Sequence, residues 1–135
     1  MRIHAAAILA AVLGLAGSAE AAPETVHITY HVQAGKLDAM LDVIARQFPA
    51  GRKAGIMLAE PHIVLWGKED GGKPVVVEIL TWRDGQDADD VSTKYPEIQA
   101  LWGRMAGLVE KRGGKPGIEI DTMEIVASGG AHPAK

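Results

Sequence analysis

The residues of this chain that could do chemistry are few and well separated. Glu78 sits inside PVVVEILTWRD, residues 74–84, where its neighbours are aliphatic and Trp82 closes the apolar run. A carboxylate in such surroundings must be paired, hydrogen-bonded or protonated. Glu78 therefore reads in one of two ways. It is a general base or polar contact in an apolar pocket, or it is a structural group paired with a basic or histidine side chain, either on the adjoining first strand or across a dimer. The sequence favours the structural use.

His31 and His27 are the other candidates for proton transfer. On a helix, their spacing of four would let them converge on one metal ion. They lie instead in TVHITYHVQ, residues 25–33, whose β-branched residues alternate with a period of two. On a strand, four residues span ~13 Å, so the two rings cannot chelate one ion. His62 could join either ring, but no Asp or Glu has a matching spacing, and no metal site is predicted. The acidic stretch RDGQDADD lacks the order of a calcium loop. It reads as a solvated turn leading into a helix, where negative charge suits the macrodipole.

Trp82, Trp102 and Trp66, with Tyr30, Met57 and Met105, are the candidates for an apolar, aromatic-walled cleft that would take a flat or aliphatic small molecule. The simpler use of each is packing. The sequence holds no nucleophile elbow, phosphate loop or dinucleotide fingerprint, so no cofactor is expected.

The elements that must position these residues follow from periodicity. The first strand, near residues 25–33, puts Val26, Ile28, Tyr30 and Val32 on one face and the two histidines on the other. Leu37, Met40, Leu41, Ile44 and Phe48 form the stripe of a helix that Pro49 and Gly51 are expected to end. AGIMLAEPHIVLWGK is a second strand, and Pro61 consigns it to a sheet edge or a bulge. EDGGK is a turn and PVVVEILTW a third strand. A short helical turn follows near DADDVSTK. Pro96 then opens a longer helix with Ile98, Leu101, Trp102, Met105, Leu108 and Val109 inward, expected to run to Lys111, Arg112 and a Gly113-Gly114 stop. GIEIDTMEIVA is the last strand, with a bulge expected between Ile120 and Met123. The order β-α-β-β-α-β is ferredoxin-like, an α+β sandwich with an antiparallel sheet. Its first and third strands are central.

The third strand is apolar on both sides. Val75, Val77 and Ile79 share one face; Val76, Leu80 and Trp82 share the other with Glu78. Two helices on one side of a sheet leave the second face wet, and this sequence has no spare element for it. A second copy of the sheet would cover it, so a homodimer with sheets packed face to face is expected.

The chain's ends set its address. Residues 1–21, MRIHAAAILAAVLGLAGSAEA, have a basic start, a short apolar core and an A-x-A site, the pattern of a cleaved signal peptide. The core is too short for a membrane span of ~20 residues, and no stable membrane insertion is expected. The remaining 22–128 form one domain, and 129–135 a disordered tail. There is no cysteine, which excludes disulfides and a lipid anchor on Cys. A formal net charge of −3 without a basic run offers no nucleic-acid footprint. A periplasmic or secreted protein is expected.

VVVEILTWRD followed by YPEIQALWGRM resembles the dimeric α/β-barrel superfamily, in particular antibiotic biosynthesis monooxygenase-like domains. ITYHVQAGKLDAML is similar to that family's first strand, glycine turn and first helix, and the resemblance spans residues 25–127. It implies the fold, the dimer and a cofactor-free monooxygenase-like or isomerase activity. It does not carry the haem-degrading branch. That branch's Asn, Trp and His fall on Ile28, near Ser92 and on Trp102, and this chain has no asparagine. Of the groups that hold a phenolic substrate in quinone-forming members, only Trp82 and Tyr30 remain as analogues. The alternative is a non-catalytic ligand-binding or interaction domain of the same fold.

Overall fold

A computed structural model of the chain describes residues 22–83 and 88–127. The signal-peptide segment 1–21, the tail 129–135 and the acidic residues Asp84 and Asp87 lie outside the described residues.

Four strands form one antiparallel sheet: β1 (Glu24–His31), β2 (Met57–Lys68), β3 (Pro74–Trp82) and β6 (Ile118–Met123), in the order β2-β3-β1-β6. The edges are thus β2 and β6, as Pro61 demanded. The pairing of β2 with β3 shifts register between Met57 and His62, around that proline. Alternation gives each strand two faces. One carries Val26, Ile28 and Tyr30 with Val76, Glu78, Leu80 and Trp82, and all of these are buried. The helices α1 (Leu37–Lys53) and α3 (Pro96–Leu108) cover that face, with a short α2 (Ala88–Lys94) before α3. Ile44, Met40 and Val43 come down from α1, and Ile98, Trp102 and Met105 from α3.

Helix ends depart from the sequence expectation. Pro49 lies inside α1. The helix runs on past it, and Gly51, two residues further, is buried against Met57, where a Cβ would collide with its side chain. The stop comes at Gly55, with φ +76°. There Ile56 N–H bonds the Gly51 carbonyl and Gly55 N–H the Arg52 carbonyl, a Schellman closure. The buried stripe is also rotated: Met40, Val43, Ile44, Gln47 and Gly51 face the sheet, while Leu37, Leu41 and Phe48 form a half-buried flank.

The helix α3 ends at Leu108, short of the expected Gly113-Gly114 stop. Val109 is extended and bridges to Val32, and Gln33 takes up the last carbonyls: its N–H bonds Leu108, and its side chain bonds Gly107 and Val109. Pairing with the end of β1 thus pulls the chain off the helix. The two glycines make a hairpin turn instead, between β4 (Lys111–Arg112) and β5 (Lys115–Pro116). Both have positive φ, 58° and 77°, as a two-residue primed turn requires. The last strand pairs with β1 in unbroken register from Ile118 to Met123, so the expected bulge is absent there.

Candidate functional site

Glu78 is fully buried at the centre of the helix-covered face, and three donors converge on it. Tyr30, diagonal to it across the β1–β3 ladder, donates its hydroxyl to Oε1 at 2.9 Å. Gln47 on α1 donates Nε2 to the same oxygen at 3.1 Å. His62 on β2 meets Oε2 through Nε2 at 2.9 Å. The directions of these bonds are fixed from the periphery. Trp102 can only donate, and its Nε1–H bonds Gln47 Oε1 at 2.8 Å. That orients the amide, so Gln47 must give its N–H to Glu78. Oε1 is thus taken by two donors, and Oε2 shares one proton with Nε2 of His62. With that proton on Nε2, a neutral ring carries its lone pair on Nδ1.

His62 is the only member of this network on an edge strand, and its side chain is 22 % exposed. Nδ1 has no hydrogen-bond partner among the described residues. Phe48 lies flat on the ring, with centroids 3.7 Å apart and planes 1° from parallel. A carboxylate that holds one imidazole nitrogen and leaves the other free is the arrangement that makes histidine a base.

Burial of Tyr30 holds its hydroxyl pKa well above the usual tyrosine value, and the Glu78 carboxylate raises it further. A folded pKa above the unfolded one gives stability that is intact below the unfolded value of about 10 and falls as pH rises through the folded value. The protein should therefore lose stability at alkaline pH with a steeper slope than its Tyr30→Phe variant. Tyr30→Phe itself should cost about 1–3 kcal/mol at neutral pH by leaving Glu78 one donor short. Urea midpoints measured from neutrality to about pH 11 decide it; parallel profiles would contradict the assignment.

The sequence-selected residues do not form one constellation. Glu78 faces the helices, but His27 and His31 point to the opposite side of the sheet, because β1 alternates and Tyr30 takes the Glu78 side. The trio cannot act on one substrate. His31 belongs to an ionic cluster beside the hairpin, with Nδ1 2.9 Å from Glu69 and Nε2 3.3 Å from Glu119. Arg112 also reaches Glu69, at 2.7 Å. Glu110 in that cluster is held below the usual carboxylate pKa by its hydrogen bond from Lys73. Across the β1–β6 ladder, His27 stands opposite Asp121. No cluster of three metal-ligating side chains occurs among the described residues.

The proposed cleft residues part in the same way. Tyr30, Trp82, Trp102 and Met105 are buried core, with Trp82 and Trp102 meeting edge to face at 6.0 Å. They fill the interior instead of walling an opening. Trp66 is different: it stands on the edge strand, 57 % exposed. Reasoning from sequence missed Gln47 as a partner and weighed His62 only for a metal. Gln47 had a readable signal, a polar residue on the same stripe as Met40, Val43 and Ile44.

The sequence matches no family model and no curated protein. Solved structures do match in shape. A conserved protein from Methanosarcina mazei Go1 superposes with a TM-score of 0.54 at 12% identity, over 76% of this chain and 91% of that one. An antibiotic biosynthesis monooxygenase superposes with a TM-score of 0.51 at 16% identity, over 77% of this chain and 99% of that one. This chain has the antibiotic biosynthesis monooxygenase fold. At such identities the likeness concerns the fold and not the activity. Within this monooxygenase-like fold the polar centre is the Glu78 network, reached from outside at His62.

Proposed function

We propose that this is an exported, homodimeric protein of the monooxygenase-like fold that holds a small apolar or aromatic ligand on the helix side of the sheet edge. The observation that carries the reading is the buried Glu78 carboxylate, joined at 2.9 Å to His62, whose side chain reaches the surface only in part. Burying a carboxylate costs several kcal/mol before its partners are counted, and an apolar residue would pack that position without this cost. The exposed residues of β2 divide by face. Ile63 and Leu65, 45% and 56% exposed, lie on the helix-free side with Val75, Val77 and Ile79. Val64 and Trp66 lie beside His62 on the ligand side. The first set suits a second copy of the sheet, and the second set suits a ligand.

The basic, apolar and small-residue order of 1–21 supports export to the periplasm or medium. No helix among the described residues is long and apolar enough to cross a membrane. One observation favours a binding module over an enzyme: Glu78 is satisfied by three donors and touches no solvent.

The test uses processed protein recovered from the periplasm, beginning at Ala22. Thermal shift is measured against phenols, quinones, haem and fatty acids, with oxygen uptake followed in parallel. A phenol or quinone should raise the melting temperature in proportion to its saturation. Absence of any stabilisation would remove the ligand from the reading, and stabilisation without turnover under air would assign the binding module.

A further inference from the structure

We infer that the cleft between the last turn of α1 and the start of α3 is a second binding site, for a small monocarboxylate with an apolar body, of the class of a medium-chain fatty acid. It is separate from the sheet edge, since His62, Val64 and Trp66 take no part in it. Its volume of about 290 Å³ lies at the small end of the ~300–1,000 Å³ range of ligand pockets. Two stretches of sequence build it. Because α1 runs on through Pro49 to Lys53, residues Ala50, Lys53 and Ala54 recur at i, i+3 and i+4 and share one flank. Facing them, α2 stops at Lys94, and Tyr95, Pro96, Glu97 and Ile98 carry the chain into α3. Tyr95 donates its hydroxyl to the Ala54 carbonyl at 3.3 Å, which ties the two walls together. The cleft thus has its shape before a ligand arrives, and the ligand is spared part of the ordering cost of binding.

The lining names the ligand class. Ala50, Ala54, Pro96 and Ile98 give the wall its apolar part, and the exposed Lys53 and Lys94 give it charge. Neither lysine has an ion pair among the described residues, whereas Arg46, Lys73 and Arg112 each find a carboxylate. Each of the two stands in the last turn of its helix, where positive charge suits the macrodipole. That preference does not by itself bring both to one cleft. Glu97 lines the same cleft and pairs with neither, so two lysines against one glutamate leave an excess of one positive charge. The complement is one carboxylate at the lysines and hydrocarbon against the alanines, the proline and Ile98. A dianion would be repelled by Glu97, and an uncharged chain would leave both lysines unmatched.

Titration calorimetry of the processed protein with octanoate and 1-octanol tests the site. Octanoate should bind more tightly than 1-octanol, and added salt should weaken only the octanoate. Lys53→Gln and Lys94→Gln should each weaken octanoate by roughly two- to fivefold, the range of an exposed ion pair, and leave 1-octanol unchanged. Glu97→Gln should tighten octanoate by a similar factor. Ala54→Leu, which fills the cleft and alters no charge, should abolish binding of both, with circular dichroism to confirm that it folds. His62→Gln should change none of this. No octanoate binding, equal affinity for the two probes, or affinity indifferent to both lysines overturns the inference. So does octanoate binding that His62→Gln removes, because the molecule would then sit at the sheet edge. The first three outcomes leave the sheet-edge reading as it stands, since no residue is shared.

Discussion

Glu78→Ala is expected to destabilise the fold more than any other single polar substitution, by about 3–5 kcal/mol. The loss does not come from the carboxylate alone. Tyr30, Gln47 and His62 all donate to it, and removal strands donors in an interior that water does not reach. Each stranded donor costs about 1–3 kcal/mol, with part relieved as neighbours relax. In a domain of this size the melting temperature should fall by roughly 4 °C or more for each kcal/mol. The same logic predicts a rescue. The double variant Tyr30→Phe, Glu78→Leu removes a donor with its acceptor, and its cost should fall short of the sum of the singles by about 0.5–3 kcal/mol. Chemical denaturation of the four proteins measures this coupling. A Glu78→Ala variant within about 1 kcal/mol of wild type would show that the three donors do not depend on it.

The second large effect concerns association. Val77→Asp should convert the proposed dimer to a monomer at micromolar concentration while leaving the far-ultraviolet circular dichroism unchanged. Val77 stands at the middle of β3, half-buried, on the face the helices do not touch. Its aliphatic neighbours there are Val75, Ile79, Ile63 and Leu65. Covering such side chains is worth about 1.5–3 kcal/mol each before ordering costs. A carboxylate placed among them would be desolvated without a partner, which raises the dissociation constant by roughly a hundredfold or more. Light scattering across a dilution series reads the result. A wild-type protein that is monomeric throughout that series would remove the dimer from the account.

Strand order and the character of the sheet were legible because they depend on local signals. Pro61 cannot donate to a ladder, so β2 had to be an edge, and the period of two in β3 placed Glu78 with Leu80 and Trp82 on one side. The same period separated His27 and His31 from Tyr30, and with it from Glu78, once both strands were known to share one sheet. What the sequence hid was long-range. Gln47 and His62 reach Glu78 from other elements, across separations of 31 and 16 residues. The face on which His62 emerges depends on the register shift beside Met57. Helix ends were misread because a glycine pair serves a helix stop and a hairpin turn equally well. At 113–114 the pull of Val32 on Val109 decided for the hairpin. Pro49 was misread because burial on both sides of it outweighs one missing backbone bond.

The tryptophans described above also divide the light this protein emits. Trp82 and Trp102 are sealed in the interior, 3% exposed each, while Trp66 meets water over more than half its surface. Their fluorescence should separate into a blue, acrylamide-resistant component and a redder one that the quencher reaches freely. The red component watches the rim of the sheet at no cost in labels. A molecule settling beside His62 would darken or shift it and leave the interior pair as the internal standard.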